Sequence, residues 1–120
     1  MANSIPSEIR GQNYISLATF RKNGVGVYTP VWFAEDNGKL YVMTSAATGK
    51  YKRLRNNGQV KIAACTIRGT ITGPEFPATA RILPAGDGPQ ARNLIRAKYW
   101  MARIPLIWQK SNVYIEITVS

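Results

Sequence analysis

One segment of the sequence combines residue types and spacing suited to binding an anion. Thr44-Ser45-Ala46-Ala47-Thr48-Gly49-Lys50-Tyr51-Lys52-Arg53-Leu54-Arg55 leaves an alternating stretch, passes through small and hydroxyl residues, and enters a helical pattern. Backbone N–H groups exposed at a helix start bind anions, and the hydroxyls of Thr44 and Ser45 add donors. Gly49 lets the backbone approach a ligand closely. Lys50, Lys52 and Arg53 fall in or near the first turn, where the helix already carries positive partial charge. Each such cation costs a few tenths to about 1 kcal/mol, and a bound phosphate reverses the sign of that effect. Helical geometry puts Lys50, Arg53 and Asn57 on one stripe and Lys52 and Arg55 on another, leaving Tyr51 and Leu54 free to face a core. A solvated basic helix is the competing reading, and these residues alone do not choose between the two.

A second segment, Thr29-Pro30-Val31-Trp32-Phe33, couples a strand pattern to a proline. Proline cannot donate to a β-ladder, so the strand is irregular or at an edge near Pro30. The neighbouring backbone groups are then free to hydrogen-bond a planar ring lying against Trp32. An edge strand with a core aromatic fits the same residues. Cys65 sits between Ala64 and Thr66 and reads as a structural thiol, because no histidine exists to activate it. Ile104-Pro105-Leu106-Ile107-Trp108 reads as core or interface.

Composition removes several chemistries. The chain has no histidine, which excludes Ser/His/Asp and Cys/His catalysis and the commonest metal ligand. Glu8, Glu35, Asp36, Glu75, Asp87 and Glu116 are the only acids, and apart from Glu35-Asp36 they are scattered. A paired-carboxylate site or a metal cage is not expected. Any redox or transfer chemistry would then come from a bound cofactor. The net charge of +10 favours anionic partners: nucleic acid, anionic lipid or a phosphorylated ligand. No apolar run approaches the ~18 residues of a membrane span. The N-terminus has neither a basic nor an apolar signal region, so a cytoplasmic location is expected. At 120 residues, one domain spanning the whole chain is expected.

These segments need a scaffold, and the patterning points to a β-rich one. Tyr14–Phe20 reads as a strand, Arg21–Gly24 as a turn, and Val25–Phe33 as a second strand with Val25, Val27, Thr29, Val31 and Phe33 on one face. Glu35–Gly38 is a second turn and Lys39–Thr44 a third strand, predicting an antiparallel meander of the three. Thr48–Asn57 is predicted helical, with Gly58 at its C′ position. Val60–Ile67 and Thr70–Leu83 are predicted strands, the latter broken by Gly73-Pro74 and Pro77 into a bulge or an edge. Asp87 and Gln90 resemble a helix start. Ala91, Leu94, Ile95, Lys98 and Ala102 keep the helical period, Arg92, Arg96 and Arg103 take another side, and Pro105 marks the end. Val113, Ile115, Ile117 and Val119 form the buried face of a last strand. Pro6–Gln12 reads as a short leading helix. About six strands and two main helices imply a closed or nearly closed β-barrel with peripheral helices.

Taken in order, these pieces resemble the flavin/deazaflavin oxidoreductases of the split β-barrel superfamily, related to pyridoxamine 5′-phosphate oxidase. The nearest likeness is to the short branch associated with coenzyme F-420. The matching pieces are Ile15–Arg21, Asn23-Gly24, Thr29–Phe33, Leu40–Thr44, Gly49–Arg55, Val60–Gly69, Thr72–Pro74 and Ala78–Arg81, and the resemblance covers roughly residues 7–83. It implies a six- to seven-stranded antiparallel split β-barrel and a homodimer with the cofactor, FMN or coenzyme F-420, in a groove between two barrels. It also implies that Thr29, Pro30, Val31 and Trp32 lie along the tricyclic ring, and that Thr44, Ser45, Gly49, Lys50 and Arg53 hold the phosphate. The implied activity is hydride transfer between that cofactor and an unsaturated or conjugated small molecule, with no catalytic side chain required. Two other functions compete with it. One is a flavin carrier or storage module without turnover. The other is a nucleic-acid binder, resting on the charge, on Lys50–Arg55 and on Arg92, Arg96 and Arg103; no compact recognition motif supports it.

Overall fold

A computed structural model describes residues 5–45, 48–84, 88–98 and 112–119. These form strands β1 (Tyr14–Phe20), β2 (Gly26–Trp32), β3 (Ala34–Asp36) and β4 (Lys39–Ser45), helix α1 (Gly49–Asn56), strands β5 (Gln59–Ala64) and β6 (Phe76–Ile82), helix α2 (Gly88–Lys98) and strand β7 (Asn112–Val119). All seven strands join one antiparallel sheet in the order β2-β1-β5-β6-β7-β4-β3. The two edge strands, β2 and β3, are separated in the chain by Phe33 alone. One residue cannot span a flat seven-stranded sheet, so the sheet must curl until its edges meet. The result is the split β-barrel expected from the sequence, with a seam between β2 and the β3–β4 pair.

Strand pairing corrects the meander. β1 and β2 do form a hairpin, closed at Gly24 (φ +88°), with the Asn23 Oδ1 accepting from the Val25 N–H at 3.0 Å. β4, however, pairs with β3 on one side and β7 on the other, not with β2. Its turn is Asn37-Gly38, both residues at positive φ (+51° and +76°), as a tight hairpin demands. Alternation shows that a strand has one buried face, but it does not say which strand lies alongside.

Inward side chains fill the barrel. Ile15 and Leu17 of β1, Leu40 and Val42 of β4, Ile62 of β5, and Ile115 and Ile117 of β7 are fully buried. Ile5 and Ile9 join this cluster, so the N-terminal segment helps to fill it. That segment is a hydrogen-bonded turn in which Ile9 N and Arg10 N donate to Pro6 O, in place of the expected short helix. α2 packs against β3, β4 and β7. Its buried Ile95 forms a second cluster with Ala34, against which Trp32, Met43, Leu94 and Tyr114 rest. Asp87, Ala102, Arg103, Pro105 and the segment 104–108 lie outside the described residues, as does the Arg96 side chain.

Two positions, one glycine and one proline, differ from expectation. Gly58 does follow α1, but its φ is not positive. A Cβ there would stand 2.8 Å from Ala80 O, and Gly58 O accepts from Ala80 N at 2.7 Å, so glycine is needed for close approach to β6. Pro77 is neither at an edge nor in a bulge. It occupies the second position of the interior strand β6, opposite Lys61, near the strand start where a missing N–H is tolerated.

The outer face of β4, β6 and β7 carries an ion-pair network. The Glu116 carboxylate receives Tyr41 Oη at 3.2 Å, Arg81 Nη2 at 3.3 Å and Lys39 Nζ at 3.5 Å. Burial alone would push this carboxyl up, but Arg81, Lys39 and Tyr41 together hold it below the ordinary value. A lowered folded-state value stabilises the protein above the unfolded-state pKa, and that gain is lost as pH falls through the folded-state value. Glu116→Gln should therefore cost about 1 kcal/mol near neutrality, a modest figure because the Lys39 and Arg81 side chains are 40% and 57% exposed. Urea titrations should show the gap between wild type and variant closing at acid pH; a gap independent of pH would refute this assignment.

Candidate functional site

The seam between β2 and β4 opens into a cavity of about 280 Å³ lined by Tyr14, Pro30, Val31, Trp32, Met43 and Lys50. Four elements supply it. β2 is an edge strand, so Pro30 removes no ladder bond from an interior strand. Trp32 and Met43 are steadied by the Ala34–Ile95 cluster beneath α2. Lys50 enters from the first turn of α1.

α1 begins where it does because Thr48 caps it. The Thr48 Oγ1 accepts from Tyr51 N at 3.3 Å and donates to Ser45 O at 2.8 Å, and it lies 3.3 Å from the Thr44 hydroxyl. Thr44 is itself buried, so its hydroxyl braces the cap from the barrel side. Thr29 is placed similarly. It sits opposite Leu17, and its Oγ1 donates to Leu17 O at 3.5 Å, so its side chain does not line the cavity. Of the nine residues singled out from the sequence, Pro30, Val31, Trp32 and Lys50 meet around one cavity. Ser45 and Gly49 flank the helix start beside it.

Arg53 takes a different position. Its Nε donates to the Oγ1 of the fully buried Thr19 at 2.6 Å. Its guanidinium folds back over the helix start, where a Cβ on Gly49 would meet Nη1 at 2.8 Å. Gly49 thus makes room for an arginine at the end of the helix dipole that repels it. Burial and the Arg53 charge both press the Lys50 ammonium below its ordinary value. The first turn of α1 has no acidic residue, and neither Lys50 nor Arg53 has a carboxylate partner among the described residues. Two cations gathered at a helix N-terminus without a counter-charge are costly in isolation and favourable around an anion.

Tyr14 and Met43 were not singled out from the sequence. Tyr14 pairs with Trp32 across β1 and β2, while Met43 comes from β4, beyond the seam. Only the curl of the sheet brings them together, so no local signal could have found Met43. Among the described residues that line the cavity, Tyr14 and Lys50 are the only titratable groups. Such a lining can orient and shield a bound group but offers no carboxylate–imidazole machinery. Among the described residues, no three His, Cys, Asp or Glu side chains cluster as metal ligands, and no helix is long and apolar enough to cross a membrane.

Comparison with known proteins agrees with this architecture. No curated protein matches the chain. Among solved structures, the heme storage protein HutZ from Vibrio cholerae is similar at 15% identity and a TM-score of 0.74, with 92% of this chain and 84% of that chain covered. A provisionally assigned pyridoxamine 5′-phosphate oxidase from Listeria innocua gives 17% identity, a TM-score of 0.62, and coverage of 91% and 85%. A heme binding protein from Mycobacterium smegmatis gives 16% identity and a TM-score of 0.68, covering 91% of this chain but 47% of that one. At such identities the likeness is one of fold. The sequence model of the pyridoxamine 5′-phosphate oxidase family matches residues 3–118, extending past Leu83, where the motif resemblance faded. The chain belongs to the pyridoxamine 5′-phosphate oxidase family.

Proposed function

We propose that the seam cavity holds a phosphorylated flavin-type cofactor, FMN or coenzyme F-420, and that the chain is an oxidoreductase. It would transfer a hydride between that cofactor and an unsaturated or conjugated small molecule. The observation that carries this reading is the partly buried Lys50, without a carboxylate partner among the described residues, facing the same cavity as Pro30 and Trp32. Lys50 and Arg53, with Ser45 and Gly49 at the helix start, would hold the phosphate. The backbone of Thr29–Trp32 would hydrogen-bond the ring, which Trp32, Val31 and Met43 would shield from water. When bound, the ring carries the hydride; the protein supplies position and electrostatics. The family resemblance further supports a homodimer, and the exposed Val25, Tyr28, Ile67 and Ile71 offer apolar surface for one.

The heme-binding relatives favour a second reading, a binding module without turnover. Haem itself would need Tyr14 or Met43 as an iron ligand in this cavity, because the chain has no histidine. The two readings separate when the loaded protein is mixed with hydride donors and acceptors and the cofactor spectrum is followed. Bleaching and recovery with multiple turnovers is the expected result. A cofactor that stays bound and unchanged across the panel would assign the module reading.

A further inference from the structure

Thr19 lies on the same face of β1 as Ile15 and Leu17 and, like them, is fully buried. A valine would fill that position with no polar group, and a buried hydroxyl is costly unless it has a partner. Its partner is the Arg53 Nε, which donates to Thr19 Oγ1 at 2.6 Å. We infer that Thr19 is a positioning residue for anion binding: its buried, uncharged hydroxyl fixes the Arg53 guanidinium over the start of α1 and leaves the arginine's charge uncompensated until a ligand arrives. The role rests on the proposed cofactor site only for the identity of that ligand.

β1 pairs with β5 as far as Ala18, and α1 packs on β1, so Thr19 meets the helix where the β1–β5 ladder ends. Helical side chains lean toward the N-terminus of their helix, which sends Arg53 back toward Gly49. There the guanidinium comes so close that a Cβ on Gly49 would meet Nη1 at 2.8 Å. The Thr19 hydroxyl on one side and the bare Gly49 backbone on the other thus define one place for it. An acidic side chain at position 19 would hold the guanidinium as firmly but would cancel its charge. A hydroxyl accepts the Nε–H and neutralises nothing, and Arg53 has no carboxylate partner among the described residues. The Nη groups keep the fork geometry that suits phosphate. Without an anion the arrangement is unfavourable. The helix dipole and Lys50 both oppose a cation at this place, and Arg53 in turn presses the Lys50 ammonium down. Fixing so long a side chain during folding also leaves less of its rotamer freedom to be lost on binding.

Thr19→Val removes the hydroxyl, and Thr19→Ser keeps it. Calorimetry at low ionic strength compares FMN, riboflavin and inorganic phosphate on wild type and both variants, while proton–nitrogen NMR of the unliganded proteins follows the Arg53 Nε–H. Wild type and Thr19→Ser should show a slowly exchanging Nε–H and the same preference for FMN over riboflavin. Thr19→Val should lose the slow exchange and bind FMN and phosphate about tenfold less tightly, with riboflavin affinity unchanged within about twofold. Should Thr19→Val fail to fold, Thr19→Ala, which has no methyl to press on Arg53, is read in the same way. An unchanged FMN preference in the hydroxyl-free variant, or equal losses for FMN and riboflavin, would make Thr19 a packing residue only. If wild type does not prefer FMN over riboflavin, the choice of FMN fails by itself and the phosphate titrations decide. Phosphate affinity kept in Thr19→Ser and lost in Thr19→Val would leave Thr19 in its role at an anion site; equal phosphate affinity in all three proteins, or none in wild type, would remove it.

Discussion

Replacing Phe33 by alanine should lower the unfolding free energy by about 3–5 kcal/mol, a large part of the 5–15 kcal/mol typical of a small domain. Phe33 is fully buried and is the one residue joining the two edges of the sheet. Its ring fills the barrel core, and the Lys98 ammonium of α2 lies 3.6 Å from the ring centroid. Truncation would leave a cavity at the point where the sheet closes and would also remove that cation–π contact. Urea unfolding followed by tryptophan fluorescence should show a lower midpoint with an unchanged slope. A loss under about 1 kcal/mol would mean that the closure does not depend on this side chain. Because Trp32 precedes it, the variant should also loosen the seam cavity, and folded Phe33→Ala should bind FMN more weakly than wild type.

Lys50→Ala should separate binding from stability. Loss of a charge-assisted contact to phosphate costs about 1.5–3 kcal/mol, which is about ten- to a hundredfold in affinity. The unliganded variant, in contrast, should be no less stable than wild type. Burial and Arg53 depress the Lys50 ammonium, so the folded state binds its proton less well than the unfolded chain does. Between the depressed folded-state value and the ordinary 10.5, the unfolded state carries more protons, and wild-type stability should rise with pH across that window. Lys50→Ala should lack this rise. An apo variant less stable than wild type, with unchanged FMN affinity, would make Lys50 a packing residue and nothing more.

Legibility of the fold varied with the range of the interactions involved. β1 was readable to the residue, because Tyr14–Phe20 is rich in β-formers (Tyr14, Ile15, Thr19 and Phe20) and is followed by an Asn-Gly turn. β7 was readable because Val113, Ile115, Ile117 and Val119 alternate. The neighbours of β4 were not readable. Its partner β7 begins 67 residues after β4 ends, and nothing within β4 names it. Gly58 had the sequence context of a helix stop and was instead dictated by Ala80, a strand away. At the site, the anion-binding character of α1 was visible in the sequence because it follows from charge set against the helix dipole. The separation of Lys50 from Arg53 was not visible. It depends on Thr19, which lies 34 positions earlier and becomes a partner only when α1 packs on β1.

In the proposed function, the seam cavity recognises a flavin-type cofactor by its phosphate through Lys50. The most direct measurement is a pair of calorimetric titrations of wild-type protein, one with FMN and one with riboflavin, which has the same ring and no phosphate. FMN should bind at least about tenfold more tightly and should survive desalting with its visible absorption intact. Equal affinities for the two, or binding of neither FMN nor coenzyme F-420, would contradict this reading.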